Sequence, residues 1–200
     1  MDRPISIAGL VLAGGMSSRF GTDKALARFE GRTLLQASLE RFAPCRARAV
    51  AVRSEGVVAD HARKLGAAAI KDAADAASGP LSGIAAGLVW ARADDCEFLA
   101  IAPCDAPLLR WDHYERLLAQ IGDAPAAFAL GSSGEHPLCA VWRSDLLSKL
   151  QTAMAKGRHP SVRGFLRSQS ARAVMFEEIE SFANANTPSD LARMAAEATH

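Results

Sequence analysis

Short apolar segments alternate with helical ones along almost the whole of this chain. Residues 5–12, 49–52, 67–70, 98–102, 126–130, 137–142 and 173–176 read as strands. Residues 34–42, 57–65, 80–91, 111–121, 144–155 and a last segment from Pro188 read as helices. Several strands are apolar at nearly every position, the pattern of strands covered on both faces. Strands that alternate with helices in this way build an α/β domain around a mainly parallel sheet. The segments 126–130 and 137–142, joined by a turn from Gly131 to Gly134, read instead as an antiparallel pair.

Local signals support these boundaries. Thr33-Leu34-Leu35-Gln36 has the form of a capping box at a helix start. Gly66 ends the helix before it. Pro80 and Pro188 suit first helical positions, with Thr187 as a cap and Asp190 near the positive helix end.

The 200 residues fit one domain and can bury a core without a disulfide or metal staple. A net charge of +1 excludes a broad basic surface for nucleic acid. The cysteines Cys45, Cys96, Cys104 and Cys139 form no C-x-x-C and no zinc spacing, which suits a reducing compartment. The first residues lack a signal-peptide pattern, and the apolar stretches fall short of the roughly 20 residues that span a bilayer. A cytoplasmic protein without a membrane segment is the expectation.

In open parallel sheets, ligands bind beyond the carboxyl ends of the strands. That rule selects the loops after Leu12, Ile70 and Ala102. The first runs Leu12-Ala13-Gly14-Gly15-Met16-Ser17-Ser18-Arg19-Phe20-Gly21-Thr22-Asp23-Lys24. Its glycines let backbone N–H groups approach a phosphate, and Arg19 and Lys24 add positive charge. Neither G-x-x-x-x-G-K-[ST] nor G-x-G-x-x-G is present, so the loop is either a phosphate holder or a plain strand-to-helix connection.

Asp105 ends the segment Pro103-Cys104-Asp105. A carboxylate at that place either holds Mg²⁺ or caps the turn before Pro107. In the middle loop, Asp72 either accepts hydrogen bonds from a nucleobase or is a solvated charge. Gly79, at a helix start, is placed to face an anion. Gly83 and Gly87 share a helix face with it and read as packing positions.

Taken together, these pieces resemble the molybdenum cofactor guanylyltransferase family. The matching segments are Leu12-Ala13-Gly14-Gly15 with Ser17, Arg19, Gly21, Asp23 and Lys24; Asp72 with Gly79-Pro80-Leu81-Ser82-Gly83; Pro103-Cys104-Asp105-Ala106-Pro107; His136-Pro137-Leu138; and Asn184-Ala185-Asn186-Thr187-Pro188. The first is shared with many sugar and alditol nucleotidyltransferases; the combination is narrower. The resemblance implies a three-layer, Rossmann-like nucleotidyltransferase fold, mainly parallel with an antiparallel strand and helices on both faces, over one domain. It implies transfer of GMP from GTP to the phosphate of molybdenum-molybdopterin, with Mg²⁺ as cofactor. It places Leu12, Ala13, Gly14, Gly15, Asp72 and Gly79 on the nucleotide and Lys24 on the triphosphate. Asp105 would hold Mg²⁺ and nucleotide, while Arg19, Lys24 and Asp105 stabilise the transfer. Asn184 and Asn186 would meet the pterin substrate, and His136, before Pro137, reads as a substrate contact or a turn residue rather than a catalyst.

The resemblance further implies transient contact with cofactor-insertion proteins or molybdoenzymes, and a monomer is expected. One departure stands out: where the family often has asparagine after the second long strand, this chain reads Val52-Arg53-Ser54. Three rivals remain open on residues alone: a cytidylyltransferase acting on the same pterin, an enzyme that transfers nucleotides to sugar phosphates, and a non-catalytic carrier of nucleotide or pterin.

Overall fold

The computed structural model describes residues 6–14, 23–71, 79–155, 160–177 and 180–197. The strands are β1 (Ile7–Leu12), β2 (Arg28–Phe29), β3 (Arg32–Thr33), β4 (Ala47–Val52), β5 (Ala68–Lys71), β6 (Phe98–Pro103), β7 (Ala126–Gly131), β8 (Gly134–Arg143) and β9 (Arg172–Met175). The α-helices are α1 (Leu34–Arg41), α2 (Val57–Lys64), α3 (Pro80–Ala93), α4 (Trp111–Ile121), α5 (Leu147–Ala155), α6 (Val162–Ser168) and α7 (Pro188–Glu197). Seven strands form one sheet in the order β5-β4-β1-β6-β8-β7-β9. Only β8 runs against its neighbours; the β4–β1, β1–β6, β4–β5 and β7–β9 pairs are all parallel. The small β2–β3 hairpin stands apart and has no counterpart among the expected elements.

The alternation of side chains along each strand creates the three layers. In β6, Phe98, Ala100 and Ala102 face one side, while Leu99 and Ile101 face the other. In β4, Val50 and Val52 face the first side and Ala49 and Ala51 the second. Helices α1, α2, α4 and α7 cover the first face through residues such as Leu35, Ala62, Leu117 and Met194. Helices α3, α5 and α6 cover the second through Ile84, Leu150 and Phe165. The sequence pattern did not single out α6. Its start is set by Ser161, whose hydroxyl accepts from the Gly164 N–H at 3.0 Å.

Two capping expectations have different outcomes. At α1 the Thr33 hydroxyl accepts from the Gln36 N–H at 3.1 Å, but Gln36 turns to Glu40 instead of completing the box. At α7 the reciprocal pair is complete. Asp190 N–H donates to Thr187 Oγ1, and Asp190 Oδ2 accepts from Thr187 N–H.

The chain leaves β1 through α1 towards β4 and β5, then crosses by α3 to β6 on the other side of β1. Because α1 and α3 lie on opposite faces, the loops after β1 and β6 part and leave a crevice between them. β8 widens it. Its pairing to β6 stops at Ile101–Ala140, and its register with β7 shifts between Phe128 and Ala129. Pro137 stands in the shifted stretch, where a strand can least supply an N–H.

Candidate active site

The crevice is a cleft of about 470 Å³ at the carboxyl ends of β4, β1 and β6 and beside the amino-terminal half of the antiparallel β8. Leu12, Ala13 and Gly14 line it after β1, Arg53 after β4, and Pro103, Cys104 and Asp105 at the end of β6. Gly79, Pro80 and Gly83 come from the start of α3, Leu138 from β8, and Asn186 from the segment before α7. At about 4.8 Å per strand, the span from β4 to β8 is roughly 14 Å, enough for a nucleotide laid across the strand ends. Its volume also falls in the ordinary range for small-ligand sites.

Lys24 and Asp105 meet in this cleft. Lys24 Nζ lies 2.7 Å from Asp105 Oδ2, with side chains 19% and 25% exposed. The same Nζ donates to Asn186 Oδ1 at 3.3 Å. Lys24 opens a short 3-10 turn whose Ala25 is buried, so its backbone is anchored while its ammonium faces the cleft. Asp105 is held from several sides. The Cys104 N–H donates to Leu12 O, and the Ala185 N–H donates to Asp105 O at 2.8 Å. Ser38 Oγ donates to Cys104 O at 3.3 Å.

Asn186 is fixed from α7. Asp190 Oδ2 accepts from the N–H groups of Asn186 and Thr187, each at 2.8 Å. The Asn186 N–H, followed by the Thr187 contacts, holds the Asp190 carboxyl below the usual aspartate range. A depressed folded value means the hold is complete above the unfolded pKa of about 3.9 and is lost as the pH falls through the folded value. Amide exchange measured down an acid series is expected to show Asn186 and Thr187 losing protection before the sheet does. Protection that persists until global unfolding breaks this link.

Cys104, beside Asp105, is no nucleophile. Burial first, and then the neighbouring carboxylate, push its thiol up to about 12. It therefore keeps its proton at neutral pH. Burial likewise lowers the basicity of His136, which leaves it neutral there.

Mg²⁺ takes oxygen ligands, commonly one or two carboxylates completed by substrate phosphates and water. Asp105 and Asp23 both line the cleft, so the donor set fits. Among the described residues no group of three or more His, Cys, Asp or Glu could hold a metal ion.

Leu12, Ala13, Gly14, Lys24, Gly79, Asp105 and Asn186 are thus brought together as expected. Gly15, Arg19 and Asp72 lie outside the described residues. His136 is not among the residues that line the cleft. Its ring stacks on Phe182 at 4.9 Å, and it bonds the Ser133 hydroxyl. Asn184 is exposed and also lies outside the lining, so of the two asparagines only Asn186 faces Lys24. Asp23 received no separate role from the sequence, although it adjoins Lys24. Arg41 was missed as well. Its signal was its place on the apolar face of α1, seven residues after Leu34 and three after Ser38.

A family model described as the MobA-like NTP transferase domain matches residues 9–173. The molybdenum cofactor guanylyltransferase of Cereibacter sphaeroides is 36% identical over 186 residues, which are 92% of this chain and 93% of that protein. The protein of the same name from Mesorhizobium japonicum is 33% identical over 198 residues, 94% of each chain. The solved structure of the molybdopterin-guanine dinucleotide biosynthesis protein A of Archaeoglobus fulgidus has a TM-score of 0.71 at 23% identity, covering 96% of this chain and 98% of that one. A 2-C-methyl-D-erythritol 4-phosphate cytidylyltransferase from Thermus thermophilus has a TM-score of 0.68 at 17% identity, over 96% and 98%. At those identities the two structures speak for the fold alone, a nucleotidyltransferase architecture. The family-model match and the relatives above 30% identity go further: the chain belongs to the molybdenum cofactor guanylyltransferase family of MobA-like NTP transferases.

Proposed function

We propose that this protein transfers GMP from GTP to the phosphate of molybdenum-molybdopterin and releases pyrophosphate. The observation that carries this reading is the meeting of Lys24, Asp105 and Asn186 in one cleft, in a chain whose relatives bear the guanylyltransferase name.

The loop backbone at Leu12, Ala13 and Gly14, with Gly79, Pro80 and Gly83 opposite, makes a slot poor in bulky side chains for the base and ribose. Asp72 is assigned to the nucleoside, and Gly15 and Arg19 to the phosphates. Lys24 holds the triphosphate as a compact charge. Asn186, with Asn184 and His136 beyond the cleft lining, faces the pterin acceptor. An oxygen of the acceptor phosphate attacks the α-phosphorus of GTP, the α–β P–O bond breaks, and the electron pair leaves on pyrophosphate. The attacking oxygen is already anionic, so no histidine base is needed and no covalent enzyme intermediate forms. Mg²⁺, when bound at Asp105, neutralises charge on the phosphates. The chain's own contribution is alignment and fixed positive charge.

Four free cysteines support a reducing, cytoplasmic setting. Among the described residues no helix is long and apolar enough to cross a membrane. The protein is assigned as a monomer that passes its product to insertion proteins or molybdoenzymes.

The test is pyrophosphate release with molybdenum-molybdopterin, Mg²⁺ and either GTP or CTP, alongside titration calorimetry with each nucleotide. GTP is expected to bind tighter and to support turnover. Preference for CTP moves the protein to the cytidylyl reading. Tight GTP binding with no release from any nucleotide makes it a carrier.

A further inference from the structure

Beneath the loop that carries Asp105 lies a charge with no opposite partner among the described residues. Arg41, at the end of α1, is 6% exposed. Its Nε donates to Leu109 O and its Nη2 to Ala106 O, both at 2.7 Å. Its Nη1 has no hydrogen-bond partner among the described residues. Among the described residues no carboxylate faces it; the groups around it are Tyr114, Cys139 and Cys104, and Tyr114 donates its own O–H to Ile101 O. Burial lowers the basicity of the guanidinium accordingly.

Stability alone does not account for an arginine here. A buried charge without a counterion carries a desolvation cost that an apolar side chain of like volume avoids. What the arginine supplies is geometry. Its planar fork reaches two carbonyls three residues apart, one of them directly after Asp105. Lysine has a single donor centre, and methionine has none. The other ties on the loop, from Ser38 to Cys104 O and from Ala185 to Asp105 O, lie on its near side. Apart from Arg41, the hydrogen bond seen across the far side among the described residues is that from Leu109 N–H to Ala106 O at 3.3 Å.

We infer that Arg41 is a positioning residue: its buried guanidinium clamps the loop 104–109 and so fixes the Asp105 carboxylate against Lys24. It touches no substrate and acts only through the loop backbone. A displacement of about 1 Å at a reacting centre can cost on the order of a hundredfold in rate, which is the scale such a clamp protects. Its link to turnover rests on the guanylyl-transfer reading above; its link to loop order does not.

The experiment compares wild type with Arg41→Lys, Arg41→Met and Ser38→Ala in two assays. Hydrogen exchange of the nucleotide-free protein reads the clamp, and steady-state kinetics with GTP and molybdenum-molybdopterin read its use. In Arg41→Lys, peptides covering 104–109 and 183–187 are expected to exchange about tenfold faster while the strand peptides keep their protection. Its kcat is expected to fall about ten- to a hundredfold with the KM for GTP little changed. Arg41→Met should go further in the same direction and Ser38→Ala less far. If Arg41→Met does not fold, the other two variants still decide. Unchanged exchange in the loop overturns the clamp. Faster exchange spread evenly over the sheet reduces Arg41 to a general stabiliser and also overturns it. So does a loosened loop with wild-type kcat. A wild type that releases no pyrophosphate overturns the functional reading instead, and the exchange data then decide the clamp by themselves.

Discussion

Replacing Asp105 with asparagine lowers kcat for pyrophosphate release by about 10²–10³-fold, while the protein stays folded. The fold is spared because the loop is tied through backbone groups, among them the Ala185 N–H to Asp105 O bond, which asparagine keeps. On the proposed role of Asp105, the rate is expected to fall because asparagine cannot supply the negative charge that would draw a divalent cation to the phosphates. It also removes the negative charge that lies 2.7 Å from Lys24. Binding of GTP without metal should hold or tighten slightly, since a carboxylate no longer faces the triphosphate. The dependence of turnover on Mg²⁺ should flatten. Rapid-quench kinetics across a Mg²⁺ series, with circular dichroism as a fold control, measure both effects. Wild-type kcat with an unaltered Mg²⁺ profile would remove Asp105 from the site.

A second large effect is expected at Gly9, in the middle of β1. A Cβ at that position would lie 2.5 Å from Phe42 Cγ and 2.6 Å from Phe42 Cβ. Those atoms are the root of the side chain rather than its far end, and Phe42 is fully buried with its ring edge-on to Tyr114 at 5.1 Å. Neither the strand nor α1 can yield without disturbing the other. Gly9→Ala should therefore cost about 3 kcal/mol, the upper part of the range for overpacked cores. For a chain of this length that corresponds to roughly 6–12 °C in Tm. Urea unfolding and thermal scans test it, and a Tm within about 2 °C of wild type would show that Phe42 moves aside freely. Gly87 on α3 is a milder case. Its Cβ would lie 2.5 Å from Leu10 Cδ2, the tip of a side chain that can rotate.

Much of this fold was legible from the alternation of apolar strands with helices. The mainly parallel sheet follows from which segments are apolar throughout, and the antiparallel pair from the turn between Gly131 and Gly134; the single antiparallel strand and the helices on both faces are what the family resemblance implies. The misses have physical reasons. The β2 and β3 strands are two residues each, too short to show a period. Helix α6 has seven residues, about two turns, and its apolar positions Val162, Phe165 and Leu166 are easily taken for a loop between neighbours. At the site, Leu12, Gly14 and Asp105 were legible because a rule about strand ends selects them. The contact between Lys24 and Asn186 was not, because no local pattern reports a pairing across the sheet. His136 is a further case. Its place in a motif offers a substrate contact or a turn residue, and the contacts of its imidazole with Phe182 and with Ser133 across the turn could not be read from the sequence. Arg41 falls on the apolar face of α1, but a charged residue at a helix end is ordinarily read as solvated.

The Lys24–Asn186 hydrogen bond spans 162 residues of sequence. Closing so long a loop brings its reward only after the intervening sheet has formed. The cleft is therefore among the last parts of the molecule to exist, and no fragment lacking the segment before α7 contains it whole. A nucleotide seated there would bind the native state and no partly folded one, so its binding energy would be felt across the entire chain. Saturating GTP should then slow global unfolding rather than stiffen one loop, and the protein's lifetime in the cell becomes tied to the supply of its own substrate.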